Sequence, residues 1–299
     1  MGFGERRRDR AFRPVREVIN MKPVVKCTLF FLFLLSFPPD LGFGQLLTDK
    51  QFHTYRSMYY TTQTDVSLTF SKDVGSYMDR IHEKYSDHLR RFKKDSKEKF
   101  HIRVYKEKEE FHKLVGYEKS IGAFLPNKYL LCSYLGDNSK ERLFKTLRHE
   151  GFHQFMYTHI SRQSPPWIDE GLAEYFEQSM DEWGNFSPEM LPEHHIHVLG
   201  RAIKMNTMIP LVQLLGMKKM NWNQRLSNEI LANNQYAQSW SVVYFLLHGE
   251  DAKNSEYFNR YFKAMKKKKL AQEGIEYTFG NRMEEFVQNW LSYVKDLTN

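Results

Sequence analysis

Cysteine is nearly absent from this chain: its 299 residues contain only Cys27 and Cys132. Only Cys132 lies beyond residue 44, so the part of the chain after that point cannot form an internal disulfide. Such a chain must be held together by its apolar core, and a bound metal ion would add stability. Cys132 itself lies in an apolar, strand-like run, where a small buried side chain is expected rather than a metal ligand.

Long apolar runs are also scarce, and the one that stands out is short and lies near the start. Residues 1–26 carry eight basic and three acidic side chains, and they are followed by an apolar run over 27–37 and a small-residue exit at 42–44. This order is typical of a secretory signal, predicted here over residues 1–44 with Met21 as an alternative start. The run is too short for a comfortable membrane span, and Cys27 precedes it, which is the wrong place for lipoprotein acylation.

We therefore predict an exported protein, periplasmic or extracellular, with an uncleaved and membrane-associated signal segment as the alternative. Loss of residues 1–44 removes eight basic and four acidic side chains, which lowers the net charge from +8 to +4. The remaining charge is modest and scattered, so nucleic acid is not expected as a partner. The run of four lysines at 266–269 is interpreted as the solvated end of a helix, where cations suit the helix dipole.

No internal repeat or low-complexity linker is present, and 41% hydrophobic with 15% aromatic residues favours a globular fold. Alternating patterns predict strands within 53–70 and at Phe100–Tyr105, and a hairpin that joins Gly122–Phe124 to Tyr129–Tyr134 around Pro126. Helical patterns are expected at 73–93, 109–115, 209–216, 233–248, 254–269 and 282–297. The fold class is therefore α+β, with an N-terminal mixed sheet in a lobe over 45–180 and a helical lobe over 181–299.

The segment from His149 to His153 reads His-Glu-Gly-Phe-His. Residues four apart lie on one face of a helix, so both imidazoles can bind one metal ion, with Glu150 close enough to act as a general base. A capping pair at Asn138 and Glu141, and the absence of proline before residue 165, predict a helix over about 139–159. The Gly151 within the motif is a poor helix former, which indicates that another element packs closely there.

A second cluster supplies the third ligand that a catalytic metal site of this kind needs. Ser164 and the two prolines after it form a strong helix start, and Glu170 and Glu174 then share a face of that helix. We assign Glu170 as the third ligand and Glu174 as the hydrogen-bond acceptor for the outer ring nitrogen of a ligand histidine. The reverse assignment of the two carboxylates is the alternative.

These residues carry a resemblance to a known family. The His-Glu-x-x-His motif is followed, after sixteen intervening residues, by Glu170 within the run Trp-Ile-Asp-Glu-Gly-Leu-Ala-Glu-Tyr-Phe-Glu at 167–177. This arrangement resembles the gluzincin zinc metallopeptidases, particularly the bacterial peptidase MA-like group. The resemblance implies a zincin-like fold, one Zn²⁺ per chain held by His149, His153 and Glu170, and Glu174 as a hydrogen-bond partner of a ligand histidine. Gluzincin aminopeptidases have a longer spacer and Asn where this chain has Asp169, so aminopeptidase specificity is not implied.

The same resemblance implies two further site elements. An edge strand before the zinc helix binds the peptide substrate in gluzincins, and it corresponds here to Gly122, Ala123 and Phe124; an exposed strand edge can pair with an extended chain. A helix that opens with Tyr236 resembles a tyrosine-bearing helix of the superfamily, whose phenol would donate to the developing oxyanion. A tyrosine packed between lobes is the equal alternative for Tyr236.

The predicted function is an exported, zinc-dependent peptidase that hydrolyses peptide bonds, with Glu150 as general base and a peptide or protein as substrate. The alternative is a catalytically silent, zinc-bearing and peptidase-like binding protein of the cell envelope. A cluster at His194, His195 and His197 lacks a spacing that converges on one ion. It is expected in an exposed loop, and the role of its histidines is left open.

Overall fold

The computed structural model describes residues 51–96 and 98–299. The signal segment predicted for residues 1–44, including Met21 and Cys27, lies outside these residues. Over the part of the chain that is described, no helix is both long and apolar enough to cross a bilayer.

The N-terminal part forms the predicted mixed sheet, with five strands in the order β1-β2-β3-β5-β4. Strand β2 runs parallel to β3 and β3 parallel to β5, whereas the outer strands β1 and β4 pair antiparallel with β2 and β5. The predicted hairpin is confirmed, since β4 and β5 pair across a 3₁₀ turn at Pro126–Lys128. The strands are β1 His53–Arg56, β2 Tyr60–Thr64, β3 Phe100–Tyr105, β4 Gly122–Leu125 and β5 Leu130–Tyr134.

Three helices pack on the sheet, and a fourth helix completes this half of the chain. Helices α1 and α3 pack on one face of the sheet, whereas α2 contacts β3 and β5 from the other side. A π-helical turn, Met156–Ile160, follows α3 and leads to the segment before α4. The helices of this half are α1 Leu68–Leu89, α2 Lys108–Val115, α3 Lys140–Phe155 and α4 Pro166–Gln178.

The C-terminal part is helical, as the sequence patterns indicate. Helix α8 is buried along most of its length and contacts α4, α5 and α9. The sequence patterns did not predict three of the helices given below, which are α5, α7 and α10. The helices are α5 Glu193–Lys204, α6 Leu211–Leu215, α7 Lys219–Arg225, α8 Glu229–His248, α9 Ala252–Lys266, α10 Ala271–Phe279 and α11 Met283–Thr298.

The main apolar core extends through both parts of the chain, from Tyr60 in the sheet to Val294 in the last helix. A smaller core lies between α2 and the sheet, and Cys132 is one of its fully buried members. The side chain of Cys132 thus behaves as the small buried hydrophobe that the sequence predicts.

Three local predictions are wrong, and each error comes from a competing cap or turn. Residues 66–70 do not form a strand, because the Ser67 hydroxyl accepts from Phe70 N at 3.1 Å and begins α1. Helix α3 is capped by Ser139, whose hydroxyl accepts from Arg142 N, rather than by Asn138. The Ser164 hydroxyl donates to Asp169 instead of capping α4, which begins at Pro166.

Candidate metal centre

Helix α3 places His149, Glu150 and His153 in the interior, where each is at most 2% exposed. The apolar side chains of the same helix, such as Leu147, anchor it in the core. The close packing predicted at Gly151 is confirmed: a Cβ there would lie 2.5 Å from Met78 Cε on α1. The glycine therefore lets α1 approach the helix that carries the motif.

Helix α4 brings Glu170 to the two histidines. Its position depends on Gly171, where a Cβ would lie 2.5 Å from the carbonyl oxygen of Ser239 on α8. Since that neighbour is backbone, only glycine permits this approach of α4 to α8. Helices α3 and α4 pack against each other, so residues from two separate motifs meet in one buried site.

Three ligand-type atoms converge in this site. Oε2 of Glu170 lies 3.5 Å from Nε2 of His149 and 3.5 Å from Nε2 of His153. All three atoms are buried, and within the described chain His149 Nε2 and Glu170 Oε2 have no hydrogen-bond partner. A buried polar atom without a partner costs free energy of about 1–3 kcal/mol, so two of them beside a third buried ligand atom indicate a place that could hold a cation.

The outer ring nitrogens of both histidines are bound to carboxylates, and this corrects the prediction for Glu174. Nδ1 of His149 donates to Glu177 at 2.8 Å, and Nδ1 of His153 donates to Asp169 at 3.1 Å. Glu174 lies farther from His149 Nδ1, at 3.8 Å. The reason is the helix period, because seven residues bring Glu177 back to the face of Glu170 more closely than four residues bring Glu174.

Glu174 instead accepts a hydrogen bond from His195, whose Nε2 lies 2.8 Å from its Oε2. The expectation of an exposed loop for the histidine cluster is therefore wrong, because His195 is a buried residue of α5. Pro192 is the N-cap of this helix, and the buried positions His195, Val198, Leu199 and Ala202 have the three- to four-residue spacing of a half-buried helix.

Two groups of side chains are arranged to hold a metal ion, and they share one histidine. They are His149, His153 and Glu170, and His149 with Glu174 and Glu177; within each group the ligand atoms lie within 4.8 Å of one another. Nδ1 of His149 is already hydrogen-bonded to Glu177 in the second group. The first group is therefore the better site, because it uses Nε2 of each histidine and leaves Nδ1 to its carboxylate partner.

The carboxylates of the site create an electrostatic environment that favours a cation. Burial lowers the pKa of His153, but the charges of Glu170 and Asp169 outweigh it and raise that pKa to about 9. The histidines in turn hold the pKa of Glu170 at about 2, against the opposing effect of its burial. Glu170 thus stays ionised and favours positive charge at the histidine nitrogens.

A set of residues that sequence reasoning missed holds Glu177 in place. Its Oε1 accepts from Gln178 Nε2 at 3.0 Å and lies 3.3 Å from Lys145 Nζ. The buried guanidinium of Arg148 donates to the Glu177 carbonyl at 2.9 Å and to the Tyr77 hydroxyl at 2.9 Å. The sequence signal that could have identified Glu177 is its spacing of seven residues from Glu170.

Glu150 connects the metal centre to strand β4. Its Oε2 accepts a hydrogen bond from the backbone N–H of Phe124 at 3.0 Å. Burial raises the pKa of Glu150, and the neighbouring His153 and His149 charges oppose that rise. A Cβ at Gly122 would collide with the Thr146 methyl on α3, so this glycine lets the strand lie against the helix.

Strand β4 is an edge of the sheet, paired within the described chain only with β5. Two of the three predicted strand residues lie beside Glu150: a Cβ at Gly122 would lie 3.1 Å from Glu150 Cγ, and Phe124 N–H donates to the carboxylate, whereas Ala123 belongs to the smaller core under α2. The free edge carries the N–H of Phe124 toward the carboxylate rather than toward another strand.

Tyr236 is buried on α8, where its ring makes an edge-to-face contact with Trp222 at 5.4 Å. Its pKa is raised well above the usual value, first by burial and then by the charges of Glu170, Glu174 and Glu150. The phenol is therefore protonated, and it is close enough for the charges of the site carboxylates to affect its pKa. It is the one tyrosine of α8 whose pKa responds to these three groups.

Residues 144–271 match a protein family described as "Protein of unknown function (DUF1570)". This range is less than half of the chain, and it contains the site residues from His149 to Tyr236. No curated protein matches the chain.

Proposed function

We propose that this chain is an exported zinc-dependent peptidase of the gluzincin type, which hydrolyses peptide bonds in an extended substrate. The observation that carries the proposal is the convergence of three buried ligand atoms, which are His149 Nε2, His153 Nε2 and Glu170 Oε2.

The spacing of these atoms fits zinc. Zinc bonds to nitrogen and oxygen ligands measure about 2.0–2.1 Å, so two ligands of a tetrahedral ion lie about 3.3–3.4 Å apart. The separations of 3.5 Å from Glu170 to each histidine agree with this edge. Two imidazoles and one carboxylate also form a known catalytic ligand set that leaves one position open.

The charge of the surroundings fits as well. Five carboxylates lie in or beside the site, and apart from the histidines the basic side chain paired with one of them is Lys145. A cluster of buried carboxylates is costly when its charge is only partly compensated, and a divalent cation offsets that cost. The five carboxylates belong to Glu150, Asp169, Glu170, Glu174 and Glu177.

A zinc ion held by His149, His153 and Glu170 would supply a Lewis acid that polarises the scissile carbonyl and makes water acidic enough to lose a proton near neutral pH. The side chains of the protein perform the proton transfers. Glu150 receives the proton of the attacking water at Oε1 while Phe124 N–H holds Oε2. It then passes that proton to the amine nitrogen as the C–N bond breaks, which yields a free acid and a free amine.

Tyr236 and β4 complete the proposed machinery. The protonated phenol of Tyr236 donates a hydrogen bond to the charge that develops on the carbonyl oxygen, which stabilises the transition state more than the ground state. The free edge of β4 orients an extended peptide by main-chain hydrogen bonds, and this fixes the scissile bond beside Glu150.

The proposal is tested by elemental analysis of the purified protein beside His149→Ala and Glu170→Ala, followed by a peptide-library assay. We expect one zinc per chain in the parent, loss of zinc in both variants, and cleavage that is abolished by Glu150→Gln while zinc is retained. Full activity of Glu150→Gln would refute the mechanism. Zinc without any cleavage would favour the silent, zinc-bearing binding protein instead.

Export forms a separate part of the proposal and rests on the basic and apolar segments before residue 45. Mass spectrometry of the chain recovered from outside the cytoplasm tests it. A chain that begins near residue 45 is the expected result, and a full-length chain in the membrane fraction would support the anchored alternative.

A further inference from the structure

A basic surface lies where α1 ends beside α9, and the site described above does not use it. The chain leaves α1 through Arg91 and Phe92, and Phe92 stacks on Phe262 of α9 with ring centroids 4.4 Å apart. Nζ of Lys266 donates to the Arg91 carbonyl at 3.4 Å. The two segments are thus held together at their cationic ends.

The segment after α1 is held on its other side as well. Lys94 N–H donates to the His159 carbonyl at 2.8 Å, and His159 Nδ1 donates to the Lys94 carbonyl at 2.8 Å. These reciprocal hydrogen bonds fix the backbone that carries Arg91, so its guanidinium projects from an ordered base.

A cavity of about 430 Å³ opens between these segments. This volume falls within the range of about 300–1,000 Å³ that is usual for small-molecule sites. Phe92 supplies its apolar floor and α9 one long wall. The lining residues are Arg91, Phe92, Glu256, Asn259, Arg260, Lys263 and Lys266.

The lining has more positive charge than its surroundings compensate. Four cations face Glu256, and within the described chain only Arg260 forms an ion pair with it, at 3.8 Å. The C-terminal ends of α1 and α9 each offer roughly half a negative charge. Together with Glu256 they offset about two of the four positive charges, so helix capping alone does not account for the lining.

The pKa of the neighbouring Tyr277 is affected by the same group of basic side chains. Lys267 Nζ donates to its hydroxyl at 3.1 Å, and this hydrogen bond, followed by the charges of Lys267, Lys263 and Arg260, lowers the pKa of the phenol. The run Lys267–Lys269 thus extends the basic surface beyond the cavity.

The surface lacks the features that would bind a membrane or a nucleic acid. None of the exposed large apolar side chains lies between residues 86 and 96 or between 252 and 279, so nothing here would insert into a membrane. Phe92 is 5% exposed and packed on Phe262, so it offers no free face for a stacked base.

We propose that this cavity binds a small multivalent oxyanion of the phosphate class. The guanidinium of Arg91 donates to two oxygens of such an anion, and the Lys263 ammonium contributes a point charge opposite it. The site is separate from the metal centre, so its occupancy does not depend on peptidase activity.

Calorimetry with inorganic pyrophosphate and the full-length protein tests the proposal. The variant is Arg91→Ala/Lys263→Ala, and Lys113→Ala, an exposed lysine of α2, is the matched control. We expect saturable binding of one pyrophosphate per chain that weakens at least tenfold in the double variant and not in the control, and that also weakens with added NaCl.

Two controls separate this site from other sources of binding. Pyrophosphate also binds metal ions, but such binding would be equal in all three proteins because they share the metal centre. Equal binding in parent and double variant would overturn the proposal, as would the absence of saturable binding. Capture on phosphatidylglycerol vesicles without pyrophosphate binding would assign the surface to a membrane and also overturn it.

Discussion

Nδ1 of His149 lies 2.8 Å from Oε2 of Glu177, and this hydrogen bond leaves the other ring nitrogen for a metal ion. A carboxylate only accepts, so Nδ1 carries the hydrogen and Nε2 keeps its lone pair toward Glu170. The two residues are 28 positions apart and belong to α3 and α4. The orientation of the ligand therefore depends on how these helices pack.

Replacement of Glu177 by Gln is expected to weaken zinc binding by about 10- to 100-fold, because the amide loses the charge that raises the basicity of His149. Glu174→Gln is the matched comparison on the same helix, and its effect should be clearly smaller, since Glu174 accepts from His195 instead. Competition against a chelator of known zinc affinity gives both values. A loss in Glu174→Gln as large as that in Glu177→Gln would show that the second metal group, which contains both carboxylates, is the one in use.

Replacement of Tyr236 by Phe is expected to lower kcat by about 10²- to 10³-fold, because it removes a proposed donor to the oxyanion. KM and zinc content should stay close to the parent values. Tyr244→Phe is the control, since Tyr244 lies on the same helix and its hydroxyl donates to the Glu189 carbonyl at 3.4 Å. An unchanged kcat in Tyr236→Phe would identify this tyrosine as a packing residue.

Alanine at Gly171 is expected to destabilise the fold by about 1–3 kcal/mol, because its Cβ would meet the backbone of Ser239. Zinc affinity should fall as well, since Glu170 is adjacent. Gly200→Ala on α5 is the control: its Cβ would lie 3.5 Å from Thr298 Cβ, so this substitution should be neutral or stabilise by up to about 1 kcal/mol. Urea unfolding of both variants measures the difference, and equal midpoints would contradict the prediction.

Acid is expected to destabilise the protein through His82. Burial, followed by the charges of His159 and Lys93, lowers the pKa of this buried histidine to about 3. The folded state thus holds His82 neutral, whereas the unfolded chain binds a proton below its ordinary pKa of about 6.5. The stabilisation is complete above that pH and decreases as the pH falls from about 6.5 toward 3, by about 2 kcal/mol at pH 5.

The matched variant for this effect is His82→Phe, which keeps an aromatic ring stacked on Tyr59 and removes the titration. Free energies of unfolding measured with a chelator present, at pH 7.5 and pH 5, should diverge between parent and variant by that amount as the pH falls. A constant difference at the two pH values would show that His82 does not carry the acid sensitivity.

The sequence predicted which residues meet in the candidate site better than it predicted the side chains that hold them. His149, Glu150 and His153 were evident because four-residue spacing on a helix is a local property, and Glu170 followed from the helix after Pro165. The mixed sheet and the hairpin that ends in β5 followed from alternation and turn residues. Asp169, Glu177 and His195 were not identified as partners, because each meets its histidine or carboxylate only across a helix interface.

By itself the sequence determined the residue types, the helix that carries the motif and the two-part order of strands and helices, since all of these depend on neighbours along the chain. Only the tertiary structure decided which carboxylate holds which histidine and that Glu150 contacts β4. It also brought Arg91 beside α9. Those relations depend on the packing of α3, α4, α8 and α9, whose close approach at Gly171 and at Phe92 joins residues far apart in the chain.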